Sequence, residues 1–164
     1  MGYNIEVQKF TIHVPEHHVR ARDLAWLLGA TNALYDAIGV IFVFDSGRFV
    51  DGQLKALPDD ALLRVTSIHS GSDINLSLLG VDRVLDAFRR VVNEFRFRKE
   101  RKKREEEKTK QEEETTWRMR IENVQRALGT FTEFKSLSPE ERAQFLRLIQ
   151  GPLTEIDENR NWIE

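Results

Sequence analysis

The stretch from Val81 to Leu128 constrains this chain more than any other. It opens with Val81, Val84, Leu85, Phe88, Val91, Val92 and Phe95, the i, i+3, i+4, i+7 spacing of a helix that buries one face. From Arg98 to Thr116 there is no aliphatic or aromatic side chain at all. Apolar residues then return as Trp117, Ile121, Val124, Leu128 and Phe131, alternating steps of four and three as in a coiled-coil seam. The pattern predicts one long helix, or two collinear ones, with a docked start, a solvated middle and an interaction stripe at its end. Unbroken, positions 81 to 128 would extend about 70 Å at the helical rise per residue. A domain of this size is narrower than that, so the helix is expected to project, fold back or meet another chain.

The middle of the helix is ordered by charge. Arg96, Arg98, Lys99, Arg101, Lys102, Lys103 and Arg104 form a basic block interrupted by Glu100. Glu105, Glu106, Glu107, Glu112, Glu113 and Glu114 form an acidic block relieved by Lys108 and Lys110. Pairs at i, i+4, such as Glu100–Arg104, Lys103–Glu107 and Glu106–Lys110, contribute about 0.2–0.5 kcal/mol each and in series hold a polar helix in water. Two such helices lying antiparallel would set each basic block beside the other's acidic block. A basic run is also a footprint of phosphate binding, and Phe97 adds a ring on which a base can stack. The acidic block that follows at once favours charge pairing or a solvated face over nucleic acid, and over a membrane surface.

Size and charge narrow the class. The 164 residues suit one domain with an appendage, and a net charge of −2 gives no global pull toward nucleic acid or anionic lipid. Cysteine is absent, which excludes disulfides and thiolate chemistry and is compatible with a reducing cytoplasm. Met1 to Glu6 lacks the basic start and early apolar run of a signal peptide, and Glu6 stands where a myristoylation signal has Ser or Thr. Leu24 to Phe44 is long enough to span a bilayer, but Asp36 near its centre costs about 2.5–3.5 kcal/mol on insertion scales. A buried core helix is the expectation, with a membrane span as the alternative.

Taken in order, residues 4 to 14 read as a strand whose alternation changes phase between Val7 and Phe10, predicting a bulge near Gln8-Lys9. Pro15 ends it, and a helix starting near Glu16 carries Leu24, Leu27, Leu28, Thr31, Leu34, Tyr35 and Ile38 on one face. Gly39 reads as a helix cap followed by a strand over 40–44, the alternative being a helix continuing to Asp45. Turns and loop follow to Pro58, with Asp51-Gly52 as a turn signal. Leu62 to His69 and Ile74 to Leu79 form a hairpin around Ser70-Gly71-Ser72-Asp73. Beyond Gly129, Ser138-Pro139-Glu140-Glu141 starts a helix that stops at Gly151-Pro152, and a short last helix covers Leu153 to Trp162.

The residue types that carry chemistry have simpler roles. His13, His17 and His18 lie close together, but Pro15 divides them and no H-E-x-x-H accompanies them, so no metal is expected. His69, Ser70, Ser72 and Asp73 hold the residue types of a hydrolytic triad within a hairpin turn, where they cannot converge on an oxyanion hole. Neither a G-x-S-x-G elbow nor a glycine-rich phosphate loop is present, so neither enzymatic activity nor a cofactor is expected.

The order strand, helix, hairpin and long charged helix, with Gly71-Ser72 opening an alternating strand that ends at Leu78-Leu79-Gly80, resembles a class of bacterial domains without assigned activity. The resemblance covers about residues 4 to 100. It implies no catalysis, no cofactor and no particular functional residue. The fold expected is α+β: a small antiparallel sheet of about three strands packed on two helices. It divides into an α+β domain over 1–97, a charged spacer over 98–116 and a C-terminal helical region over 117–164. The function expected is a cytoplasmic, self-associating scaffold or adaptor that works through protein partners, with Trp117, Ile121, Val124, Leu128 and Phe131 as the contact stripe, the alternative being an intrachain hairpin in which that stripe receives Phe145, Leu146 and Ile149 of the C-terminal helix. A nucleic-acid accessory factor using Arg96 to Arg104 is the first alternative, and a module holding a small ligand between sheet and helix the second.

Overall fold

A computed structural model describes residues 6–14, 21–70, 74–97 and 110–158. The fold is α+β, as the pattern predicts. Strands β1 (Val7–Val14), β4 (Arg64–Ser70) and β5 (Ile74–Val81) make an antiparallel sheet in the order β1-β5-β4. Between β1 and β4 lie helix α1 (Ala21–Val43) and a two-residue hairpin of β2 (Phe49–Val50) and β3 (Gln53–Leu54). Alternation sends Phe10, Ile12, Val14, Leu76 and Leu78 to the buried face of the sheet. Thr11, His13, Asn75 and Ser77 occupy the other face, the usual division of an antiparallel sheet with one solvated side.

The bulge predicted near Gln8-Lys9 is absent. Pairing between β1 and β5 runs unbroken from Val7↔Val81 to Val14↔Ile74, and Val7 is simply exposed on the solvated side. The irregularity lies in β4 instead, between Val65 and Ser67. One extra residue there restores phase, so that Val65 opposite Leu78 and Ile68 opposite Leu76 both face the same side as the core.

The strand expected over 40–44 is helix. α1 continues through Val40 and Ile41, both buried, and ends at Val43. Gly39 is there for space rather than as a cap, since a Cβ at this position would lie 2.8 Å from Leu57 Cδ1. The strand preference of β-branched residues depends on how their side chains pack and is readily overridden by burial. Here the helix is enclosed by α2 (Asp82–Phe97) on one side and the C-terminal helix on the other, and burial decides. The loop expected after it contains the β2–β3 hairpin, whose turn residues Asp51 and Gly52 take φ of 51° and 76°. A 3-10 turn at Asp59–Ala61 then leads to β4.

Tyr35 ties α1 to both neighbouring segments. Its buried hydroxyl donates to the Ala61 carbonyl at 2.8 Å and accepts the Val81 N–H at 2.9 Å. Burial raises the phenol above its ordinary pKa, against the opposing effect of the Val81 hydrogen bond. Gly80 makes room for it, because a Cβ there would come within 2.9 Å of the Tyr35 ring.

The long rod is corrected. α2 is described over Asp82–Phe97, and α3 (Lys110–Leu128) runs back along it. The Phe95 and Trp117 rings meet edge to face at 5.3 Å, whereas a straight helix would hold them about 33 Å apart. Further along, Arg90 stacks on Phe131 at 5.0 Å and Arg83 pairs with Glu133. Partners thus rise in number as α2 is followed backwards, the signature of an antiparallel pair. The short α4 (Thr132–Lys135) follows, then α5 (Pro139–Glu158). Ser138 and Glu141 form the reciprocal cap that the sequence predicts, with Ser138 Oγ accepting the Glu141 N–H at 3.1 Å.

α5 does not stop at Gly151-Pro152, as was expected. An interior proline costs about 3 kcal/mol through a lost hydrogen bond and a ring clash. Leu153 and Ile156, both buried, hold the helix together beyond it, and Leu148, whose carbonyl loses the bond, is exposed to water. The C-terminal helices therefore share one core with the sheet and are not an appendage: Phe10, Leu34, Phe88, Leu128, Phe145 and Ile156 belong to a single cluster.

Tyr35→Phe strands the Ala61 carbonyl and the Val81 N–H while keeping the ring. A loss of about 1–3 kcal/mol in urea unfolding is expected, with the far-ultraviolet spectrum unchanged.

Candidate functional site

The stripe at Trp117, Ile121, Val124, Leu128 and Phe131 is spent largely inside the chain. Val124 and Leu128 are fully buried, Trp117 packs on Phe95, and the Phe131 ring meets Phe42 of α1 edge to face at 5.2 Å. Ile121 is half-buried and lies outside the core cluster. The steps of four and three that suggested a coiled coil serve an intrachain helix pair, whose packing has the same period. Of the charged blocks, Arg96 lies in the last described turn of α2 and Glu112 to Glu114 in the first turns of α3; residues 98 to 107 lie outside the described residues.

The sheet places the histidines differently from the sequence. His13 Nδ1 lies 2.6 Å from Asn75 Oδ1 on the solvated face, and His69 is the cross-strand partner of Asn75 from the other side. This row of His13, Asn75 and His69 joins residues far apart in sequence. His17, His18, Ser72 and Asp73 lie outside the described residues. Among the described residues, no group of three His, Cys, Asp or Glu side chains is arranged to hold a metal ion.

A cleft of about 350 Å³ opens among α3, α4 and α5, lined by Glu122, Gln125, Arg126, Phe134, Lys135 and Arg142. It is lined by helical residues and lies away from the sheet–helix space that the second alternative, a ligand-sensing module, would use. α1 is long and apolar enough to cross a membrane by length and composition, yet more than half of that stretch is buried here, as in a core helix.

The surface that sequence reasoning missed is β4. Among the described residues it pairs with β5 on one side only, so its outer N–H and C=O groups face away from the sheet. Val65 and Ile68, turned to the core side by the bulge, extend the apolar face of the sheet past the cover of the helices. They are 51% and 64% exposed, with Leu62 also exposed nearby in the chain. α2 covers the other part of that face, crossing β1 and β5 with Phe88 edge to face against Phe10 at 5.5 Å. A signal was present in the sequence: Val65 and Ile68 are three apart in a strand, which regular alternation does not allow on one face. Comparison with protein-family models, with curated proteins and with solved structures finds no match.

Leu128→Ala separates core from contact stripe. The geometry predicts a loss of about 2–5 kcal/mol in chemical unfolding, with the association state of the folded protein unchanged in sedimentation.

Proposed function

We propose that this chain is a non-enzymatic adaptor of protein assembly, acting in the cytoplasm, with the free edge of β4 as its partner-binding surface. The observation that carries the reading is the pairing of a strand edge that is open among the described residues with an exposed apolar ledge at Val65 and Ile68. An extended segment of a partner protein fits both. Its backbone adds a strand to β4, and its apolar side chains, on alternate residues, cover the ledge. Backbone hydrogen bonds supply affinity in this mode, and the ledge supplies selectivity for aliphatic or aromatic residues. Arg64, held by its bond to the Asp59 carbonyl at 2.6 Å, lies at the start of the strand and biases the site toward segments with an acidic flank.

The arrangement separates tasks within a small chain. Helices α1, α2, α3 and α5 build the core, and the sheet edge meets the partner. Natural sheets usually blunt a free edge with charge, proline or a covering loop. Positions 65 to 68 read Val-Thr-Ser-Ile, with neither charge nor proline.

Ile68→Lys places a charge on the ledge at a position that is already exposed, so folding is expected to be unchanged. In parallel affinity captures, proteins retained by the wild type should be lost with Ile68→Lys. A partner segment recovered this way should bind at least about tenfold more weakly to the variant. Identical captures from both proteins would remove the reading.

A further inference from the structure

α1 is apolar nearly all round, yet one side of it is uncovered. Arg22, Trp26, Gly29, Ala33 and Asp36 follow one another at steps of four and three, which keeps them on one line along a helix. Arg22, Ala25, Trp26, Gly29, Asn32 and Ala33 are exposed, and Asp36 is half-buried. Trp26 is 52% exposed, with the Arg22 guanidinium 4.2 Å from the centre of its ring. At the middle of the line, a Cβ built on Gly29 meets nothing within 4 Å.

The line is self-complementary about Gly29. Arg22 precedes Gly29 by as many residues as Asp36 follows it, and Ala25 and Ala33 are likewise equidistant. Two copies of α1 crossing antiparallel at Gly29 therefore set Arg22 of each against Asp36 of the other, about 10 Å either side of the crossing. Small residues fall opposite small residues, and each Trp26 covers the other copy's Asn32. A parallel crossing would oppose Arg22 to Arg22 and Asp36 to Asp36, so charge selects the two-fold antiparallel pair.

Asp36, at the far end of the line, is half-buried. Its Oδ2 accepts from Asn32 Nδ2 at 3.2 Å, while its Oδ1 is buried with no hydrogen-bond partner among the described residues. Burial pushes the carboxyl above the usual carboxylate range, and an approaching guanidinium relieves that strain. A lipid surface would cover the apolar part of the same face and offer phosphates to Arg22, but an anionic headgroup layer would set like charge against Asp36, which a second copy's Arg22 pairs instead.

We propose that the exposed face of α1 is the interface of a homodimer, two copies packing antiparallel across Gly29 with Arg22 of each paired to Asp36 of the other. The dimer goes beyond the adaptor reading and does not depend on it. It would carry two β4 edges, so that a partner presenting two segments gains avidity.

Sedimentation of the full chain at concentrations roughly a hundredfold apart tests this, with thermal unfolding as the check on folding. The wild type is expected to shift from monomer to dimer. Gly29→Leu, which has room in the single chain and improves helix propensity, should be monomeric with an unchanged or raised Tm. Arg22→Asp and Asp36→Arg should each weaken dimerisation about tenfold or more, and the double reversal should restore it. If a single reversal fails to fold, Gly29→Leu and the double reversal still decide the matter. A monomeric wild type, a dimer that survives Gly29→Leu, or a double reversal without rescue would overturn the proposal. So would a monomer that binds anionic phospholipid vesicles through Trp26, or a dimer lost only on Ile68→Lys, which would place association at the sheet edge.

Discussion

A helix with so little polar surface has to be surrounded, and the enclosure of α1 is the constraint from which the rest of the fold follows. α2 flanks it on one side and α5 on the other, and residues Leu27 to Ile41 supply a large part of the common core. Close approach sets local demands: Gly39 admits Leu57, and Gly80 admits the Tyr35 ring. It also explains why α5 crosses Pro152 without ending. Stopping there would uncover α1, and the apolar area kept buried by Leu153 and Ile156 offsets the proline.

Enclosure brings polar groups inside, and two of them, Tyr35 and Arg48, find partners that tie elements together. The Tyr35 hydroxyl satisfies one carbonyl and one N–H that no strand or helix reaches. Arg48, only 5% exposed, reaches Glu141 at 3.5 Å and Ser136 Oγ at 3.4 Å, joining the β2–β3 hairpin to the start of α5. Around these the aromatic pairs act as couplers. Phe10–Phe88 and Phe42–Phe131 join segments distant in sequence, and Phe95–Trp117 and Phe134–Phe145 join successive helices, all in edge-to-face geometry. Such pairs add about 0.5–1.5 kcal/mol apiece beyond area burial.

Enclosure also decides what stays open. α2 crosses β1 and β5, and α1 is committed to its helical neighbours, so β4 receives little cover. The bulge then turns Ile68 to the uncovered side instead of the solvated polar face. A free strand edge and an apolar ledge arise together from one extra residue and from the placement of the helices. The second open surface, on α1, has a different origin, because two flanking helices cannot enclose a third on every side.

Much of this architecture was legible in the sequence. Alternation in β1 and β5, the antiparallel pairing of β4 with β5, the α2 stripe and the Ser138–Glu141 cap are determined by neighbours a few residues away, where period and capping chemistry act directly. The sequence also determined that Trp117, Val124 and Leu128 would need an apolar partner. Only the tertiary structure decided which one. Helix pairs within a chain and between chains share one period, and the pattern therefore could not separate a rod from a fold-back. The fate of residues 40–44, the passage through Pro152 and the exposure of Val65 and Ile68 were decided in the same way. Each depends on which surface lies against the residue after folding, and burial by a distant segment outweighs the local preferences that a sequence displays.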